Sequence, residues 1–100
     1  MAYNVVGFES LTISNSAVAL TRPMTARSFL GKLETAAVRV RGDGTAPTTT
    51  VGVLVSVGEV IILDDSELDR AQFIRQSGSD GTLQGHYYSA GADVVRRMVG

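Results

Sequence analysis

His86 is the only imidazole in the 100-residue chain, and cysteine is absent. The missing cysteines exclude disulfides, thiolate zinc sites and thiol nucleophiles together. Zinc held by a single histidine and scattered carboxylates would be an unusual ligand set. A serine nucleophile activated through His86 needs a sharp turn to expose its hydroxyl, and the chain has no Gly-x-Ser-x-Gly elbow. Next to Tyr87 and Tyr88, His86 reads as a surface or interface residue. The carboxylates Asp64, Asp65, Glu67 and Asp69 form the best cluster for a hard cation. Calcium, however, asks for about six to eight oxygens and a glycine at the sharp turn. No glycine lies between Asp64 and Arg70, so the segment reads as a solvated single helical turn, with Asp65 or Ser66 as its N-cap. Carboxylates paired for glycoside hydrolysis would need a cleft between them that a small β domain seldom provides.

Arg41-Gly42-Asp43 is the tripeptide that integrin-binding loops present, but Gly-Asp-Gly is also what a tight turn demands. Asp43 and Asp80 sit beside glycines, where aspartate shapes turns through side-chain hydrogen bonds. Gly42, Gly44, Gly78 and Gly81 form neither a dinucleotide fingerprint nor a P-loop. Phe8, Phe29, Phe73 and Tyr87 fall at strand spacing and are expected in the core, not on a base-stacking platform. Nine basic residues against ten acidic ones give a net charge of −1, which argues against a nucleic-acid groove. The expectation is a protein with no catalytic residues, no cofactor and no metal.

The elements that would carry these residues are short strands. Valine, isoleucine and threonine number 26 and favour β structure. Glu9 to Ser14 alternates around Leu11 and Ile13, and Ala17 to Thr21 reads as its returning strand, stopped at Arg22-Pro23. Further strands are expected over Ala26 to Glu34, Ala36 to Arg41, Val51 to Val57, Val60 to Leu63, Ala71 to Gln76 and Thr82 to Tyr88. The fourth should turn Val38 and Val40 inward, and the last should put Leu83, Gly85 and Tyr87 on one face. Gly42 to Thr48 and Ser77 to Gly81 are loops, and Gly58-Glu59 is a turn. Strands at this spacing, with no helical pattern of about ten or more residues between them, predict an all-β, single-domain antiparallel β-sandwich, jelly-roll or immunoglobulin-like, of seven to eight short strands. The sandwich is expected over residues 1–88, with 89–100 a tail that forms a helix, an added strand or an arm. No apolar run approaches the ~20 residues of a spanning helix. Met1 to Glu9 lacks the basic and apolar regions of a secretory signal, so synthesis and folding in a cytoplasm are expected.

One stretch carries a resemblance. Glu34 to Thr48 (E-T-A-A-V-R-V-R-G-D-G-T-A-P-T), followed by Gly52, Leu54 and the Val57-Gly58-Glu59 turn, resembles small structural proteins encoded by tailed bacteriophages. In those, a strand of the form A-x-(V/I)-R runs into D-G-T-x-P-T. Phe73 to Tyr88 is similar to a later segment of the same proteins, with its first spacing altered because Phe73 and Ile74 are adjacent. The resemblance implies a β-sandwich virion component, a capsid decoration or cement protein or a part of the neck or tail. It implies a homo-oligomer bound to other virion proteins, with neither nucleic acid nor membrane as partner, and residence in the virion after synthesis in the bacterial host. The D-G-T-x-P-T hairpin is also similar to one in immunoglobulin-like modules of carbohydrate-acting enzymes. That gives an alternative, a carbohydrate- or host-surface-binding β-sandwich module with Tyr87 and Tyr88 as part of an aromatic platform. The absence of tryptophan counts against it. On the virion reading, strand edges would pair with neighbouring subunits. The expected contact residues are Tyr3, Val5 and Val6 at one end and Val94, Val95, Met98 and Val99 at the other.

Overall fold

The structure is a computed structural model that describes residues 4–99, with side chains over 4–97. Seven strands among the described residues form two antiparallel sheets, an all-β sandwich-like fold. The strands are β1 (Val5–Ile13), β2 (Ser28–Glu34), β3 (Val38–Arg41), β4 (Val53–Val55), β5 (Val60–Leu63), β6 (Gln72–Arg75) and β7 (Gly81–Tyr88). Two short helices, α1 (Asp65–Leu68) and α2 (Ala92–Val99), accompany them. The larger sheet runs β1-β7-β2-β5 and the smaller β4-β3-β6. The chain's first and last strands are therefore neighbours, which makes the fold rich in contacts between distant parts of the sequence.

The alternation in β7 explains the centre of the larger sheet. Leu83 and Tyr87 point into the core, with Gly85 between them and Gly81 before them on the same face. Gly85 lies opposite Gly31 on β2 and Glu9 on β1. A side chain at Gly85 would overlap the Leu30 carbonyl oxygen and the Phe29 ring. The two glycines thus form a floor for Phe29, whose ring meets Tyr87 at a centroid distance of 5.0 Å. From the smaller sheet, Val38, Val55 and Phe73 close over the same core. Burial of this shared apolar surface is what holds the layers together.

Three expectations from the sequence need correction. Ala17 to Thr21 forms no strand beside β1; only Val18 pairs, in a single bridge to Phe73 of β6 (2.8 and 2.7 Å). The Thr21 amide instead donates to the Glu9 carboxylate (2.9 Å), so the segment is tied by a side chain rather than by a ladder. The α1 N-cap is Asp64, because Glu67 three residues on completes a capping box with it (3.0 Å in each direction). Phe8 is exposed rather than in the core, because its register partner is His86 on the outer face of the larger sheet. The turn expected at Gly58-Glu59 is present, and it carries the chain from β4 in the smaller sheet to β5 in the larger one. Gly58, in the left-handed region (φ 90°), lets the chain change sheets, and its amide donates to the Leu33 carbonyl (2.8 Å). A non-glycine residue, Thr35 (φ 80°), makes the β2–β3 turn, where the Ala36 amide donates to the Glu34 carbonyl (3.0 Å).

The segment after β7 is a helix that returns to its own sheet. α2 packs against β2 and β5. The Ser28 hydroxyl fixes its approach by donating to the Ala90 carbonyl (2.7 Å). Ala92 and Val95, one helical turn apart, face inward and are buried.

Candidate interaction surface

Among the described residues, no three histidine, cysteine, aspartate or glutamate side chains gather where they could hold a metal ion. The acidic segment is occupied by arginines and by its own cap. Arg22 donates to the carboxylates of Asp65 and Asp69, and Arg27 reaches Asp65 at 3.3 Å. Arg22 also donates twice to the Ala26 carbonyl (3.1 and 2.8 Å), so it ties the β1–β2 connection to α1. The Asp64 carboxylate accepts the Ser66 hydroxyl (2.8 Å) and the Glu67 amide, and these bonds hold its pKa below the ordinary value. An open groove of about 350 Å³ lies between this turn and the start of α2, lined by Asp64, Asp65, Ser66, Ala92, Asp93 and Arg96.

The Arg41-Gly42-Asp43 loop is closed on itself. The Arg41 guanidinium donates to both Asp43 carboxylate oxygens (3.2 and 2.6 Å), and the Thr45 amide donates to one of them (3.2 Å). These bonds pull the Asp43 carboxyl down to about 2. Arg70 and Gln72 hold the loop's backbone through the carbonyls of Asp43 and Gly44 (3.3 Å each). The tripeptide therefore presents an internal ion pair rather than a separated cation and anion.

His86 stands on the outer face of the larger sheet. It belongs to a row that crosses all four strands in register: Phe8, His86, Leu30 and Ile62. Phe8 is 59% exposed and meets the His86 ring edge-on at 5.4 Å. Tyr88 lies beside His86 at 6.4 Å, and Val5, opposite Tyr88, is also exposed. Tyr87 points the other way and is buried in the core, so it cannot form a platform with Tyr88. Its hydroxyl donates to Glu9 (2.5 Å); burial first, and that carboxylate second, push the phenol's pKa well up.

The contact residues expected from the sequence separate into groups. Tyr3 lies outside the described residues, as do the side chains of Met98 and Val99. Val5 is exposed at the outer face, whereas Val6 packs against the core and Val94 is half-buried. Val95 is wholly buried within its own chain, because α2 needed a surface for its apolar side and the sheet supplies one. The two ends do meet: the Asn4 amide donates to the Ser89 hydroxyl, and the Ser89 amide to the Asn4 carbonyl (2.9 Å each).

Further exposed apolar side chains lie on β4 and its flanks. Val51, Val53 and Val57 are 51%, 67% and 54% exposed, and Leu54 is exposed beside them. β4 is an edge strand, paired on one side with β3 only. No charged residue occurs between Asp43 and Glu59, so this edge has none of the lysines or inward charges that usually guard one. A shallow groove of about 290 Å³ runs alongside, between Val51–Val53 and the Arg41–Asp43 loop. The missing charges over this stretch were the available sequence signal; exposure required the fold.

No protein-family model, curated protein or solved structure matches the chain.

Proposed function

We propose that this protein is a non-enzymatic structural subunit of a phage virion, a capsid decoration or cement protein that acts through symmetric contacts with copies of itself and with other virion proteins. The observation that carries the reading is the uncharged, exposed β4 edge. An apolar strand edge left open in a small domain is a template for pairing with another chain. Most of the charged groups are engaged inside the subunit, as at Arg22–Asp65 and Arg41–Asp43, so adhesion at this edge would rest on backbone pairing and apolar contact. The sequence resemblance over Glu34 to Tyr88 supplies the virion context, with synthesis in the host cytoplasm before assembly. Mass spectrometry of particles purified from a host producing this chain tests the reading. The chain should appear in many copies among the structural proteins, and its absence from the particles would refute the proposal.

The alternative, a carbohydrate- or host-surface-binding module, draws on the Phe8–His86 contact, which lies on an open sheet face beside Ser10, Gln84 and Lys32 in the adjacent register row. An aromatic ring among hydrogen-bonding side chains suits a sugar face. That reading predicts glycan binding by a monomer, lost in Phe8→Ala.

A further inference from the structure

The core and α2 lie on opposite faces of the larger sheet. Phe29 and Leu33 on β2, and Ile61 and Leu63 on β5, point into the core. Alternation therefore turns Ser28 and Leu30 of β2, and Val60 and Ile62 of β5, to the other face. α2 packs on these two strands, and the Ser28 hydroxyl meets the Ala90 carbonyl on that outer side. Ala92 and Val95 are buried there, apart from the core cluster. The cover is partial. Ile62 is half-buried, whereas Val60, two residues away on the same face, is 52% exposed. Leu30 is half-buried, whereas Phe8, in the same register row, is open.

The chain is anchored up to the root of α2. Ser89 exchanges two hydrogen bonds with Asn4, and the Ala90 carbonyl accepts from Ser28. Gly91 follows, exposed, with open space where a side chain would stand. The helix beyond it has eight residues, fewer than the ~12–15 an isolated helix needs even to be marginal. Its Asp93 and Arg96 pair with each other (3.8 Å), and Arg96 faces the Asp64–Asp65 turn across the open groove. Docking therefore falls to Ala92, Val95 and the half-buried Val94.

We propose that α2 is a displaceable cover, swinging about Gly91 away from the outer face while the two sheets stay folded. Opening leaves the anchors at Ser89 and Ala90 in place, so the buried Ser28 hydroxyl keeps its partner. It bares Leu30 and Ile62 and joins them to Phe8 and His86 as one row open across all four strands. The inference stands apart from how the β4 edge is used, and adds a surface that the fold can show or hide.

Native-state hydrogen exchange of the unmodified chain and one substitution test the proposal. The amides of Val95, Arg96 and Arg97 should exchange at least about a hundredfold faster than the bonded amides of β2 and β7, and their rates should hardly respond to low denaturant. Protection and denaturant dependence shared with those strands would make α2 part of one cooperative unit and overturn the proposal. Val95→Asp should hold the cover open. The variant should keep its β-sheet circular dichroism, and methyl NMR should show Leu30 and Ile62 shifted while Leu33, Val38 and Leu83 in the core stay in place. A Val95→Asp chain that unfolds, or one whose Leu30 and Ile62 methyls do not move, would equally overturn it.

Discussion

The corner where α1 meets the β1–β2 connection and the edge formed by β4 lie in one small domain and treat their surfaces in opposite ways. At the corner, Arg22 and Arg27 engage Asp65 and Asp69, and Asp64 and Glu67 cap each other, so nearly every charged group points at a neighbour in the same chain. At the edge there are no charges, and four apolar side chains are exposed, Val53 and Leu54 on opposite faces of a strand paired on one side only. The corner's polar groups are satisfied within the chain, while the edge strand is paired on one side only. Among the described residues no three histidine, cysteine or carboxylate side chains gather as a metal site, so the contrast marks the edge as the surface to test.

Removing the corner's organising side chain should have the largest effect. Arg22→Ala loses hydrogen bonds to the Ala26 carbonyl and to Asp65 and Asp69, and leaves the Ala26 carbonyl without these donors. Chemical denaturation should show a loss of about 1.5–3 kcal/mol, the range for hydrogen bonds to charged groups. A loss below about 0.5 kcal/mol would mean the corner is solvated decoration, as most surface pairs are. The contrast with the edge would then weaken.

The second test concerns the loop beside the edge. Its Asp43 carboxyl is held down from 3.8 to about 2 by the bonds from Arg41 and Thr45. A depressed carboxyl supports the loop fully above its unfolded pKa of about 4, and that support is lost as the pH falls through about 2. An NMR titration of the Asp43 side chain should therefore find its midpoint near 2. A midpoint near 4 would show the ion pair open in solution, and with it a free Arg-Gly-Asp loop on the side facing β4.

The smallest effect is expected at the edge itself. Leu54→Lys removes no core contact, so the stability of the single subunit should change by no more than about 0.5 kcal/mol. A larger loss would show that Leu54, which pairs with Arg39 in register and shares its outer face with Ile74, supports the fold as well as any assembly.

How much of this was legible in the sequence depends on the range of the interactions concerned. β7 and β2 were clear because alternation of Leu83, Gly85 and Tyr87 is a local signal with one buried face. The loops at Gly42–Thr48 and Ser77–Gly81 were clear for the same reason, through turn residues. Ala17 to Thr21 alternates as a strand does, yet it gains only the Val18–Phe73 bridge, because the chain brings β7, not this segment, to the open side of β1. Phe8 looked like a core residue until the register with His86 set its face, and a one-residue difference in register decides that. Val95 looked free to leave the domain because nothing local shows that β2 and β5 have an outer face in need of cover. The uncharged run before Glu59 was visible from the start, but only the strand order shows that it lies at an edge.

Sedimentation equilibrium of the unmodified chain beside Leu54→Lys tests the central claim most directly. Association through the β4 edge predicts a reversible dimer or higher oligomer for the unmodified chain, and a folded monomer for Leu54→Lys at the same concentration, since a charge on an edge strand guards it against pairing. An unmodified chain that sediments as a monomer throughout, or a variant that associates equally well, would contradict it.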